Sequence, residues 1–404
     1  MLFKTHLAER YSPLYLLAAL GAGGMAVAFY LHLMFLTPHP DSPVPTWDSL
    51  RIFWDGADSL ARIGIGTAWL ATLALIVLHV LLLLWNVREY RIFQRTPAYQ
   101  ELLQSNATFQ RMAWPLTLAM SMNAGFVAAL LLIPGFWSVI ERIFPWAIAA
   151  FAVLGFSALR LQTSILGEQL TRGGFQCEKN NNLGMMMAPF ALAMISVGSS
   201  GPAAMSKTLA TSLIATALCW VFLVMAVLAA LVYVLMSMRA LFAQGASDDS
   251  SQTLMVGVPI STVLGIAGYR LAMMLQHHFN ADIPPIVILL GFLSVLNVQL
   301  MFVLFGASIL LRNRMLWKAL SNGPTPLSFA LVCPGVGLVV TLMFLIHRGL
   351  LPVVPELASL VPWLTALLVL AQIGLLAAYT NMVKHQLYSL PPHPGKRKEM
   401  AGNE

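Results

Sequence analysis

The run Cys333-Pro334-Gly335-Val336-Gly337 is the sharpest local feature of the chain. Its proline has no backbone N–H, and its small neighbours let a helix open at that point. A thiol one residue before such a break is placed to act as a gate or a soft ligand if it can ionise; otherwise it is a buried, inert cysteine. Other residues share this setting of small polar groups beside backbone breaks: Gly24, Asn123, Pro189 with Ser196 and Ser199, and Pro259 with Ser261 and Thr262. Such groups offer dipoles to a passing ion without a full charge that traps it, which is the compromise conduction requires. The same residue types also let helices pack closely, so type alone does not decide between the two roles.

Arg270 is the one formal charge well inside an apolar stretch. Charge at that depth is costly, so it either attracts an anion or snorkels to the nearer interface. No Asp or Glu accompanies it on the same set of segments. The missing carboxylate ladder favours a channel or uniporter over a tightly proton-coupled carrier. His32 and His79 fall at opposite depths of neighbouring segments, which suits local hydrogen bonding better than paired haem ligation. His277 and His278 adjoin on a loop and make a weak metal site. Cys177, Cys219 and Cys333 have no CxxC spacing, and no nucleotide-binding, zinc-hydrolase or serine-hydrolase motif is present. The sequence therefore implies no enzyme, no cofactor and no metal. A membrane redox anchor that uses Cys333 or the histidines with quinone or haem is the competing reading.

Ten apolar segments must position these residues: 13–37, 63–86, 112–134, 144–161, 183–199, 208–238, 253–275, 285–311, 326–347 and 360–382. Most reach the ~20 residues that cross ~30 Å of hydrocarbon. They alternate in kind. Pro189, Pro259 and Pro334 lie inside the fifth, seventh and ninth, Pro115 lies near the start of the third, and the first carries Gly21, Gly23 and Gly24. The even segments hold proline only at their ends, as Pro145, Pro284, Pro285 and Pro362. The odd set, with Gly201 just past the fifth, has 12 glycines and the even set 6. Broken helices are tolerated where protein or a water-filled cavity surrounds them. The expected fold is all-α: five helical hairpins, kinked odd helices around a central pore, even helices outside. No residue-level repeat is legible, only a hairpin about every 70 to 80 residues.

Composition agrees. Hydrophobic residues make up 58% of the 404 and charged residues 10%, which excludes a soluble protein. The net charge of +7 is not a nucleic-acid stripe. With the N-terminus inside, seventeen Lys and Arg fall in cytoplasmic loops and five outside, as the positive-inside rule asks of an even helix count. Residues 1–12 are then a cytoplasmic N-terminus, 13–383 the membrane domain, and 384–404 a basic cytoplasmic tail without fixed structure. The first segment reads as a permanent helix, not a cleaved signal. Of the two long connections, 38–62 suggests a structural lid or interfacial helix, and 87–111 an amphipathic helix at the headgroups. The loops 172–182 and 245–251 are polar.

Two local matches extend this plan. Tyr11-Ser12-Pro13 leads into Gly21–Gly24, and Ser328-Phe329-Ala330 runs to Cys333-Pro334-Gly335. With the ten segments and inside termini, residues 10–385 resemble the tellurite-resistance/C4-dicarboxylate transporter family, which includes TehA and the slow-type anion channels of plants. The chain is also similar to that family's TsoY branch of (seleno)proteins, where a cysteine stands for selenocysteine. The resemblance implies a cell inner-membrane anion channel or transporter, a homotrimer with one pore per protomer, and lipid and a small anion as the partners. Cys333 stands where the family places an aromatic, so the family's phenylalanine gate does not carry over to it. A sulfur beside the break makes sulfur, selenium or tellurium oxyanions the first anions to test, ahead of dicarboxylates.

Overall fold

A computed structural model describes residues 3–172, 180–246, 251–312, 314 and 325–388. Cys177, most of the 172–182 and 245–251 loops, and the basic tail from 389 onward lie outside the described residues. Ten helices are long and apolar enough to cross a membrane, and no strand occurs among the described residues. The α-helical parts of these ten spans are α1 (Leu16–Leu36), α2 (Ser59–Phe93), α3 (Ala113–Leu132), α4 (Ile140–Arg172), α5 (Met187–Met205), α6 (Leu209–Gln244), α7 (Gly257–Phe279), α8 (Pro285–Arg312), α9 (Val332–Phe344) and α10 (Val361–Leu387), the ninth span running over Pro326–Leu350. The chain is an all-α, multi-pass membrane protein.

The odd helices close into a ring: α1 packs on α3, α3 on α5, α5 on α7, α7 on α9, and α9 back on α1. The even helices stand outside it. Across the apolar stretch of each span, between 50% and 94% of an odd helix is buried against between 6% and 33% of an even one. The exposed faces of the even helices carry Phe156, Leu235, Leu304 and Leu367, a surface matched to lipid and not to water. Because one outer helix returns the chain after each inner one, all five inner helices run in the same direction. Both chain ends meet on one side, where Lys4 N donates to Leu387 O at 2.7 Å. We call this the terminus side and the other the lid side.

The inner helices share a beginning that the sequence does not announce. Each is led in by a 3-10 turn: Pro13–Tyr15, Asn106–Met112, Gly184–Met186, Ser251–Met255 and Pro326–Leu331. Pro115, Pro189, Pro259 and Pro334 are each the third residue of the α-helix that follows. The expected interior breaks are therefore first-turn prolines. There the N–H has no intrahelical acceptor in any case, so proline costs no helical bond. Two prolines do fall inside helices. Pro145 lies in α4, contrary to its expected place at an end, and Pro202 lies in α5 beyond the expected limit of that segment. The last turn of the ninth span, Leu345–Leu350, is a π-helix.

The long connections are corrected in part. Tyr90 to Phe93 continue α2, and the amphipathic stretch shrinks to Pro97–Gln104. Connection 38–62 holds a helix, Trp47–Gly56, with a capping box between Thr46 and Ser49. Asp58 caps α2, accepting from Ala61 N at 2.7 Å, and Asp48 accepts from the N–H of Gly135 at 2.8 Å. Gly135 sits at φ +66° in the α3–α4 turn, a conformation that favours glycine.

On the terminus side, Tyr11 is buried and its hydroxyl donates to Asn86 Oδ1 at 2.7 Å. Burial, with Tyr90 and Glu89 beside it, pushes its phenol well above the ordinary range, so it remains a donor. Tyr11→Phe leaves the Asn86 carbonyl without that donor. The expected loss is about 1–3 kcal/mol, read as a lower melting temperature of the purified protein.

Candidate functional site

The ring encloses a cavity of about 250 Å³. Every inner helix contributes to its wall. From outside the ring come only Ala147 and Phe151 of α4 and Val44 of the lid strap. The repeated proline sets a common depth scale. The floor lies at Phe190, Pro259 and Cys333, each within one residue of that proline, and the cavity rises past Asn123 and Gly198 to Arg270, Met205 and Phe344. Arg270 stands 11 residues beyond Pro259, about 17 Å at 1.5 Å per residue. On the lid side, Val44 covers the opening, and Tyr30 holds the strap by donating its hydroxyl to Pro45 O at 3.0 Å.

A second cavity, of about 430 Å³, lies on the terminus side of the same ring. All five lead-in turns reach it, through Leu14, Gln110, Met185, Thr253 and Leu327, and it is rimmed by Gln104, Ser105, Asn106, Asn180 and Asn182. It also receives the N-terminal ends of five parallel helices, whose dipoles favour negative charge. Between the two cavities stands a buried septum. It is thinnest on α5, where Met187 faces the lower space and Phe190, three residues on, faces the upper one.

The residues singled out by sequence divide cleanly. Gly24, Asn123, Pro259, Thr262, Arg270 and Cys333 line the upper cavity. Pro189, Ser196, Ser261, Pro334 and Gly335 do not. Ser196 turns outward and donates to Cys219 O on α6 at 2.9 Å. Ser261 bonds back to Gly257 O and Val258 O of its own helix. Gly335 receives Leu375 of α10, and a Cβ there comes within 2.9 Å of that side chain. Much of the glycine excess on odd helices is thus notches for outer-helix side chains: Gly23 for His79, Gly257 for Phe302, Gly265 for Val295.

Polar groups in the wall differ in how far they are committed. The Thr262 hydroxyl donates to Val258 O and accepts from Gln299 Nε2 of α8 at 2.9 Å. Gln299 also donates to Thr341 on α9 at 2.7 Å, so one buried outer-helix amide fixes the α7–α9 seam. Arg270 donates through Nη1 to Val197 O at 3.2 Å and Ser200 Oγ at 3.4 Å, both on α5. Its Nε and Nη2 have no partner among the described residues. The Asn123 amide likewise makes no hydrogen bond there. Among the described residues, Arg270 is the only formal charge in the wall of this cavity.

Most of the membrane histidines are hydrogen-bonded, but the buried His32 Nδ1 has no partner among the described residues and His347 stacks on Phe35. His79 places Nδ1 on Ala19 O and Nε2 on Ser121 Oγ, both within 2.8 Å. His32 Nε2 meets Gln372 Oε1 at 2.7 Å. His277 and His278 meet Ala204 O and Ser206 O at the end of α5, at 2.8 and 3.0 Å. No group of three His, Cys, Asp or Glu that suits a metal occurs among the described residues.

Sequence reasoning missed Phe151, because it lies on an outer helix. Its ring occupies the place a Cβ at Gly198 would take, and so enters the wall between α3 and α5. Gly198→Val overlaps that ring and forces it to move. The expected cost is about 1–3 kcal/mol in thermal stability, and Phe151→Ala in the same chain recovers part of it. Phe190 and Tyr30 were also missed, since neither breaks the local apolar pattern. Comparison with known proteins finds no matching family model and no matching curated relative.

Proposed function

We propose that the chain is an anion channel or uniporter of the cell inner membrane, with the terminus side cytoplasmic and the pathway running through the ring of inner helices. The observation that carries this reading is the charge pattern of the upper cavity. One incompletely partnered arginine faces a space whose wall holds no carboxylate. A cation pathway needs the reverse arrangement. The five parallel helix N-termini around the lower cavity add the same sign of potential on the other side of the septum. Among the described residues, the segments assigned to the cytoplasmic side carry twelve Lys and Arg and those on the lid side five.

The resemblance to the tellurite-resistance/C4-dicarboxylate transporter family belongs with this reading, and so does a homotrimer with one pathway per protomer. The driving force is the anion's own electrochemical gradient, and no reaction is assigned to the chain. The septum at Phe190 and Met187 closes the path in this conformation.

Reconstitution tests the proposal. Proteoliposomes under a potassium diffusion potential should release a set of inorganic and carboxylate anions faster than empty liposomes, and with the sign of anion movement. Failure to move any anion above the empty control ends the reading. For the redox-anchor alternative, the engagement of both His79 ring nitrogens removes that residue as a haem ligand. A haem band in the visible spectrum of the purified protein would favour that alternative.

A further inference from the structure

Arg270 is held in a particular way. Its Nη1 is tied to α5 through Val197 O and Ser200 Oγ, which leaves the Nε–Nη2 edge for the cavity. That edge is one of the forks on which a guanidinium receives a carboxylate through two parallel bonds. Among the described residues, no acidic side chain in the cavity wall competes for it. A single negative charge balances the site, and a second one finds no cation.

Towards the floor from Arg270 the wall turns apolar. Met194, Val263, Ile266, Val336 and Val340 form it, and the Thr262 hydroxyl is already committed to Val258 and Gln299. The Asn123 amide is the one uncommitted polar side chain there besides the Cys333 thiol. A compact oxyanion that enters this space loses its hydration shell and gains almost no donors in return. An apolar group of the same size gains from the same wall. The volume, about 250 Å³, lies just under the usual range for small-molecule pockets of roughly 300–1,000 Å³.

We infer that the upper cavity binds an amphiphilic monoanion, with one carboxylate or sulfonate on the free edge of Arg270 and a short alkyl or aryl tail directed towards Phe190 and Cys333. This rests on the anion-pathway reading and names its substrate class. It places short organic monoanions ahead of the sulfur, selenium and tellurium oxyanions and the dicarboxylates.

The test is binding, kept separate from flux. Wild-type protein in nanodiscs of neutral lipid is titrated with octanoate, octanol, sulfate and malate, with thermal stabilisation as the readout. Octanoate should stabilise the protein saturably at concentrations at least about tenfold below those of the other three. Arg270→Gln should weaken octanoate by about tenfold or more while leaving octanol unchanged, and Arg270→Lys should weaken it less. Val336→Trp keeps the charge but fills the cavity, so it should also lose octanoate, and it decides the matter if Arg270→Gln does not fold. Equal protection of wild type and Arg270→Gln overturns the inference, as does sulfate or malate binding as tightly as octanoate. Arginine-dependent octanoate binding without flux of any anion supports the site and removes the transport reading. Anion flux without such binding does the reverse.

Discussion

Phe190→Ala should raise anion flux through the reconstituted protein by at least about tenfold at the same potential. The septum between the two cavities is one helical turn thick on α5. Phe190 faces the upper space and Met187 the lower, separated by about 4.5 Å of helix rise. On the other inner helices the two spaces are further apart. Cys333 and Leu327 mark their limits on the ninth span, Pro259 and Thr253 on the seventh. An apolar constriction of this kind holds back ions by excluding water, and removing the aromatic ring at its thinnest point should admit water. The ring is nearly fully buried, so the substitution also costs stability, of the order of 3–5 kcal/mol. Flux must therefore be normalised to folded protein, and Phe190→Leu gives a milder step in the same direction. Unchanged flux in both variants would show that the septum is elsewhere.

Arg270→Ala should reduce flux by about tenfold or more, with most of the loss at low anion concentration. A charge surrounded by apolar wall acts through a low effective dielectric, so its attraction for an anion is several times what it would be in water. Removing it takes away the only fixed positive charge in the upper cavity. The fold should survive, because Val197 O remains part of the α5 backbone and Ser200 Oγ keeps its bond to Val197 O at 2.6 Å. Loss of an arginine without a carboxylate partner leaves no buried counter-charge behind. Arg270→Lys restores the charge without the planar fork and should recover only part of the flux. If all three proteins conduct alike, the arginine is a snorkelling residue and selectivity lies in the helix N-termini.

The alternation of inner and outer helices was legible because proline and glycine are visible in sequence and lipid leaves few places to put them. The mechanism behind the signal was different. Pro189, Pro259 and Pro334 mark the first turn of α5, α7 and α9 and not a kink at their centres. Their regular third-residue position is hidden because the residues around them share no words: Ala-Pro-Phe, Val-Pro-Ile and Cys-Pro-Gly. Direction around the helix was not legible either. Ser196 and Thr262 look alike as polar residues on inner segments, yet one bonds to α6 and the other faces the cavity. In a helix that is apolar on every side, no amphipathic stripe tells which face is inward. For the same reason the contributions of Phe151 and Gln299, from helices that otherwise face lipid, needed the three-dimensional arrangement.

The claim on which the account depends is that the five inner helices surround a water-accessible path and the outer five do not. Single cysteines at Gly24, Asn123 and Leu370, in a background with the three native cysteines replaced by serine, measure this directly. Gly24 and Asn123 line the upper cavity, and Leu370 is exposed on the outer face of α10. A small membrane-impermeant thiosulfonate applied from the lid side should react at the first two positions and block anion flux, and leave flux through the Leu370→Cys protein unchanged. Reaction and block at Leu370 with none at Gly24 or Asn123 would contradict the account.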